Sequence, residues 1–146
     1  MTQTTALSQE LRKLTEGIMR QSMKGMLAFA RDRNISLSQI SVLMHLYYTG
    51  KSSVSDIAKK LGMTSAAASQ LIKKLEQEHL VQRYEGTDDR RVRQIELGVP
   101  GRELVNALIE TRFQWLDDFS IQISNAKANK ILSSIHELTE MMAHIK

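Results

Sequence analysis

The chain has no cysteine and only one proline among its 146 residues. Without cysteine it can form no disulfide, no thiolate nucleophile and no cysteine-ligated zinc site. Because Pro100 is the single proline, most of the chain is free to be helical. No stretch approaches the roughly 20 apolar residues of a membrane span, and the first residues lack the apolar core of a signal peptide. We therefore expect a soluble, cytoplasmic protein with no membrane partner.

Motifs of catalysis are also lacking. The sequence contains no nucleophile motif, P-loop or dinucleotide fingerprint. Its histidines show no metal-ligand spacing such as H-x-x-x-H. We therefore expect no enzyme activity, no cofactor and no metal. The net charge of +4 at pH 7 instead favours a polyanionic partner, although only mildly.

The length predicts one domain, residues 1–146, and apolar residues at helical spacing predict long helices at both of its ends. The first helix should end near Asn34. Ser38 is the predicted N-cap of a second helix, which Gly50 should stop. Ser124 should cap the last helix. The apolar stripes of the two terminal helices are Leu7, Leu11, Leu14 and Ile18 in the first, and Ile131, Ile135, Leu138 and Met142 in the last.

The middle of the chain has the pattern of a winged helix-turn-helix. Ser53 and Asp56 have the spacing of a capping box that opens a short helix. Gly62 should end that helix, and Thr64 should cap the next. Two short helices joined by a glycine-containing turn are typical of a helix-turn-helix. Two alternating segments, 80–84 and 92–97, then predict a β-hairpin, and Pro100 stands where a further helix should start. The expected fold class is mostly α with a small β-wing (α+β).

The second helix of this motif has a polar face suited to DNA. Small side chains near its start allow close approach to base edges in the major groove, and Gln70 could pair with adenine. Lys73 and Lys74 suit phosphates, which position the protein without specifying a sequence. A solvated face of an ordinary helix would have the same composition. The candidate contacts are Ser65, Ala66, Ser69, Gln70, Lys73 and Lys74.

The hairpin tip carries the second candidate site. An arginine at such a tip can enter the narrow minor groove, where the potential is most negative. A neighbouring aspartate can hold the loop or orient the guanidinium. An isolated hairpin of this composition would more simply be an exposed charged turn. After a helix-turn-helix we favour DNA contact, by Asp89, Arg90, Arg91 and Arg93.

The order of these pieces resembles the MarR (multiple antibiotic resistance regulator) family. The matching segments are Val54-Ser-Asp-Ile-Ala-Lys-Lys-Leu-Gly62, Leu71-Ile-Lys-Lys-Leu-Glu76 and Asp89-Arg-Arg91 followed by Ile95-Glu-Leu97. The resemblance implies a winged helix-turn-helix lobe over 38–99 and dimerisation helices over 1–34 and 101–146. The chain departs from the family at three positions. Gln70 stands where arginine is frequent, His79 where a helix-ending glycine is usual, and Gly98 where a capping threonine is usual.

The resemblance also implies a function. It implies a homodimer that binds double-stranded DNA at a near-palindromic operator, usually to repress transcription. Arg91 would be the minor-groove residue, with Asp89 as its support and Arg90 as a second contact. A small aromatic or anionic effector would relieve binding. The nearest candidate residues for it are Met23, Met26, His45, Tyr48 and Trp115, although they could equally serve only for packing.

An alternative function of another class is a winged helix used for protein interaction or for non-specific DNA binding. The sequence does not separate this alternative from specific DNA recognition. Strong discrimination between DNA sequences would reject it.

Overall fold

The computed structural model describes residues 3–85 and 93–144. Six helices and three strands follow one another in these ranges. They are α1 Gln3–Asp32, α2 Leu37–Thr49, β1 Lys51–Ser53, α3 Val54–Leu61, α4 Ser65–Gln77, β2 Val81–Glu85, β3 Arg93–Leu97, α5 Val99–Ser120 and α6 Asn125–Ala143. The predicted fold class, mostly α with a small β-wing, is confirmed.

The start of α2 differs from the prediction. Ser36, not Ser38, is the N-cap, and Ser38 lies inside the first turn. The Ser36 side chain accepts a hydrogen bond from the backbone N–H of Gln39 at 3.2 Å, and the Gln39 side chain accepts one from the Ser36 N–H at 3.0 Å. This reciprocal capping box satisfies two backbone donors, the N–H groups of Ser36 and Gln39. Gly50 ends the helix as predicted, with φ 80°.

The caps of the helix-turn-helix are those that the sequence predicts. Ser53 caps α3 by accepting from the backbone N–H of Asp56 at 3.1 Å. Gly62 ends α3 in the left-handed conformation, φ 64°, which glycine adopts without a Cβ clash. Thr64 caps α4 by accepting from the N–H of Ala67 at 3.1 Å. These short-range signals fix both ends of the turn between α3 and α4.

The sheet has three strands where the sequence predicted a two-stranded hairpin. β2 and β3 form that hairpin, antiparallel, with Val81 opposite Leu97 and Glu85 opposite Arg93. β1 adds to the other side of β3, so the order is β1-β3-β2, with Ser52 opposite Ile95. The prediction missed β1 because three residues are too few to show alternation. Residues 51–53 therefore form a strand because they pair with β3, and not because of their own β-propensity.

The apolar core joins the helix-turn-helix, the sheet and α5. α2, α3, α4, β3 and α5 each contribute side chains with almost no exposed surface. Burying each such side chain stabilises the fold by about 1.5–3 kcal/mol. The most deeply buried are Val42, Leu43, Leu46, Ile57, Ile72, Leu75, Ile95, Val105 and Leu108.

The chain divides into two compact units, Met1–Arg112 and Phe113–Lys146. The first contains the core and all of the sheet. The second contains the end of α5 and α6, and none of the residues of α6 is buried. Ser124 stands at the N-cap of α6 as predicted, but its side chain makes no capping hydrogen bond. Within 3–85 and 93–144, no helix combines the length and hydropathy that crossing a bilayer requires.

Candidate nucleic-acid interface

Helix α4 has two distinct faces. Ala68, Ile72 and Leu75 are fully buried and anchor the helix in the core. All six residues predicted to face DNA are exposed, which is the arrangement a helix needs to enter a groove while its other face stays packed. These six are Ser65, Ala66, Ser69, Gln70, Lys73 and Lys74.

The polar face of α4 changes in character along its length. Its first turn carries only the short side chains of Ser65 and Ala66, so backbone can approach a base edge there. Gln70 follows with an amide that can donate and accept together. Lys73 and Lys74 lie nearer the C-terminal end, and within the described residues neither belongs to an ion pair. The face thus carries groups suited to base readout first and groups suited to phosphate contact after them.

Two lysines that the sequence analysis did not single out add to this surface. Lys59 and Lys60 are exposed in the last turn of α3. In helix-turn-helix proteins the first helix crosses the DNA backbone, so cations on it suit phosphates. They also suit the negative end of the helix dipole. The sequence could have indicated these two residues, because they form a basic pair at the end of the first helix of the helix-turn-helix.

The predicted wing residues fall mostly at the undescribed tip. Asp89, Arg90 and Arg91 lie outside the described residues. Arg93 begins β3 by its backbone, and its side chain is not among the described ones. What the structure does place is the stem of the wing, from Val81 to Glu85 and from Arg93 to Leu97.

One face of the stem carries a polar cluster around Glu96. Lys51 Nζ lies 3.3 Å from Glu96 Oε2, and Gln82 Nε2 donates to Glu96 Oε1 at 2.7 Å. The Lys51 ammonium also lies 4.4 Å from the centre of the Tyr84 ring. Burial by itself raises the pKa of the Glu96 carboxyl, but the hydrogen bonds from Gln82 and Lys51 and the charge of Lys51 outweigh it, so this pKa lies below its ordinary value. The cluster ties all three strands together.

The joint between α4 and the wing is held by side chains that the sequence analysis did not connect. The Arg83 Nε–H on β2 donates to Glu76 Oε1 on α4 at 2.7 Å. Gln39 Nε2, on α2, donates to Glu78 Oε2 at 3.4 Å. His79, which follows Glu78 and precedes β2, has φ 58°, the left-handed conformation that a helix-ending glycine would adopt. Neither side-chain contact is visible in the sequence, because the Arg83–Glu76 bond depends on how the chain turns at His79 and the Gln39–Glu78 bond depends on how α2 packs against α4.

The backbone of the joint also packs closely against the start of α5. The Gly98 N–H donates to the Leu80 carbonyl at 3.0 Å. A Cβ at Gly101 would lie 1.9 Å from the same carbonyl oxygen, so only glycine allows this approach. The point where α4 passes into β2 is therefore fixed from the α5 side.

The structure gives the candidate effector residues different surroundings. Met23 is exposed on α1, whereas Met26 is half-buried against the core. His45 Nε2 lies 3.1 Å from the hydroxyl of Ser52 on β1, and Tyr48 is 73% exposed. Trp115 belongs to the second unit, where its indole N–H is buried without a hydrogen-bond partner among the described residues.

Comparison with known proteins finds a matching family profile, related sequences and solved structures of similar fold. The MarR family profile matches residues 35–92. YdgJ of Bacillus subtilis, an uncharacterized HTH-type transcriptional regulator, is 28% identical over 101 residues, 69% of this chain and 61% of YdgJ. The chain thus spans less than two thirds of the length of that relative.

Solved structures share the fold at low identity. The transcriptional regulator Tm0710 from Thermotoga maritima has a TM-score of 0.81 and 23% identity, over 95% of each chain. A point mutant of S. aureus MepR bound to an oligodeoxyribonucleotide has a TM-score of 0.67 and 22% identity, over 93% of this chain and 97% of the other. MepR has also been solved bound to ethidium bromide, with a TM-score of 0.61, 22% identity, and 92% and 95% covered.

Proposed function

Because residues 35–92 of this chain match the MarR family profile, we propose that the protein is a sequence-specific DNA-binding regulator of transcription of that family, and not an enzyme. The winged-helix fold agrees with the proposal, and YdgJ and Tm0710 are both described as transcriptional regulators. A protein of this kind acts where the DNA is, so we expect to find it in the cytoplasm.

The observation that carries the proposal is the division of α4 into a buried and an exposed face. Its apolar side is fixed in the core, while Ser65, Ala66, Ser69 and Gln70 are exposed ahead of the two lysines. A recognition helix needs this combination, because base contacts specify and phosphate contacts only position. The oligodeoxyribonucleotide bound to MepR supports the same use of the fold.

We further propose that the active form is a homodimer on a near-palindromic operator, where it represses transcription. Two copies related by a two-fold axis would present two recognition helices to successive major grooves on one side of the duplex. The half-sites should then be centred about 10 base pairs apart, which is one helical turn. The wing residues Asp89, Arg90, Arg91 and Arg93 are proposed as additional DNA contacts, with Arg91 in the minor groove.

Selection of bound duplexes from a random DNA library tests this function. The proposal expects enriched sequences with two related half-sites and a specific affinity at least about 10³-fold above that for unrelated DNA. Equal retention of all sequences would instead favour a non-specific DNA-binding module. Failure to retain any duplex, by a folded protein, would favour a winged helix used for protein interaction.

A small aromatic or anionic effector that releases the DNA completes the proposal. Binding of ethidium bromide to MepR supports the idea that this fold accepts a flat aromatic molecule. An effector can release DNA only if it binds the DNA-incompetent state more tightly. Trp115 is the single tryptophan, so a ligand that binds near it should change the fluorescence of the protein. A panel of aromatic carboxylates should include one that changes both Trp115 fluorescence and operator affinity. If every compound that binds leaves the operator affinity unchanged, the effector hypothesis fails, and the proposed DNA binding is not affected.

A further inference from the structure

The ion pair between Glu76 and Arg83 joins the recognition helix to the wing. Glu76 lies in the last turns of α4 and Arg83 in the middle of β2, with the left-handed turn at His79 between them. Their side chains are 27% and 32% exposed, so both are more than half buried. Among the ion pairs of the described residues, it alone connects α4 with the sheet.

The pair acts at a second point along β2. The first point is the start of the strand, where Leu80 is bonded to Gly98 and approached closely by Gly101. Because β2 is paired with β3 along its whole length, the two strands can change their angle to α4 only together. The Arg83–Glu76 bond at 2.7 Å fixes another position three residues further on. Together the two contacts hold the described strand β2, Val81–Glu85, at a set angle to the recognition helix.

The negative charge of Glu76 allows an experiment to distinguish two roles of the pair: holding the wing in position, and contacting the DNA directly. A carboxylate on the recognition helix lies in the field of the DNA phosphates, which by itself opposes binding. If Arg83 were a phosphate contact that Glu76 partly neutralises, removing Glu76 would free a cation and strengthen binding. If the two groups hold the wing, removing either one weakens binding. The two roles therefore predict opposite signs for the same substitution.

We propose that Glu76 and Arg83 are positioning residues that set the wing relative to the recognition helix, and that they do so without contacting DNA. The inference rests on the proposed function, since it assigns these residues a part in the same DNA interface. Fixing the hairpin before binding means that less conformational freedom is lost in the complex. The wing and helix then reach neighbouring grooves as one body.

Glu76→Ala and Arg83→Met, in the full-length protein, test the proposal. Alanine removes the carboxylate and suits a helix, and methionine keeps an apolar stem while removing the guanidinium. Glu10→Ala is the matched control for Glu76→Ala, because Glu10 forms an exposed ion pair with Lys13 on α1 and its loss raises the net charge by the same amount. The probe is a duplex that the wild-type protein selects from the random library. Both test variants should bind it about three- to tenfold more weakly, and the control should bind like the wild type or slightly better.

A second duplex, shortened so that it lacks the minor grooves flanking the half-sites, identifies the element involved. The deficit of both variants should disappear on it, because the wing has nothing to reach there. Thermal unfolding of each variant checks that the fold is retained, so a weakened but folded Glu76→Ala protein supports the inference. Unchanged or tighter binding by Glu76→Ala overturns it, and so does a deficit that persists in full on the short duplex. If the wild-type protein selects no duplex at all, it is the proposed function that fails.

Discussion

Gln70 and Lys73 lie three residues apart on the same exposed face of α4, but their chemistry predicts different contributions. The amide of Gln70 can form a bidentate pair with adenine, so Gln70→Ala should reduce the discrimination at one base pair by about 1–3 kcal/mol. Lys73→Ala should weaken binding to all sequences alike and lower the salt slope by about one unit. Titrations of the selected duplex and its single-base variants, at several salt concentrations, measure both effects. Unchanged base preference in Gln70→Ala would remove that residue from the readout.

His79 has a backbone conformation that is unfavourable for a residue with a Cβ atom. It is exposed and has φ 58°, where a Cβ costs free energy. His79→Gly should therefore stabilise the protein, by about 0.5–1 kcal/mol after the added flexibility of the unfolded chain is deducted.

Gly62→Ala is the reciprocal change. Gly62 has φ 64°, and a Cβ added there would meet nothing within 4 Å, so only the backbone conformation disfavours the alanine. This variant should be destabilised by about 1 kcal/mol. Urea unfolding of both variants measures these differences, and a destabilised His79→Gly protein would contradict the strain argument.

At the scale of elements, the Glu96 side chain links β3 to Lys51 on β1 and Gln82 on β2. Its pKa is lowered in the folded protein, so the ionised form is favoured there relative to the unfolded chain, in which a glutamate has a pKa of about 4.3. The contribution to stability is therefore present above about pH 4.3 and is lost as the pH falls through the folded pKa. Glu96→Gln should be less stable than the wild type near pH 6, and the difference should shrink as the solution is acidified. Urea unfolding over this pH series is the measurement. A difference that stays constant with pH would assign the effect to packing instead.

The elements also show how far a sequence can be interpreted. Ser53, Gly62 and Thr64 were predicted in their capping roles because each acts on backbone within three or four residues of itself. Ser36 was missed although the sequence carries its signal: Ser36 and Gln39 have the S-x-x-Q spacing of a capping box, whereas Ser38 is followed three residues later by Ser41. β1 exists only through its pairing with β3. The Glu76–Arg83 pair depends on the turn at His79. Local chemistry was predictable, therefore, and contacts made by chain reversal were not.

At the scale of the whole molecule, each of the two units has a helix with exposed large apolar side chains. In the first unit, α1 presents exposed leucine, isoleucine and methionine side chains along its length, including Leu14, which is 58% exposed. In the second unit, α6 has no buried residue, and Ile135 on it is 50% exposed. Apolar surface of this extent is typical of protein interfaces. Both units therefore have a face that a second copy of the chain could cover.

Leu14→Glu and Ile135→Glu test this dimer, one in each unit. A charge buried at an apolar interface lacks a partner, so each variant should give monomers or, if the monomer has no stable fold, unfolded protein. Leu37→Glu is the matched control, since Leu37 is 45% exposed at the first position of α2, where a carboxylate suits the helix N-terminus. Sedimentation equilibrium gives the mass, and circular dichroism separates a folded monomer from an unfolded chain. The control should remain a folded dimer. Folded dimers of both test variants would show that neither face holds the two copies together, and the half-site spacing of one helical turn would then lose its structural basis.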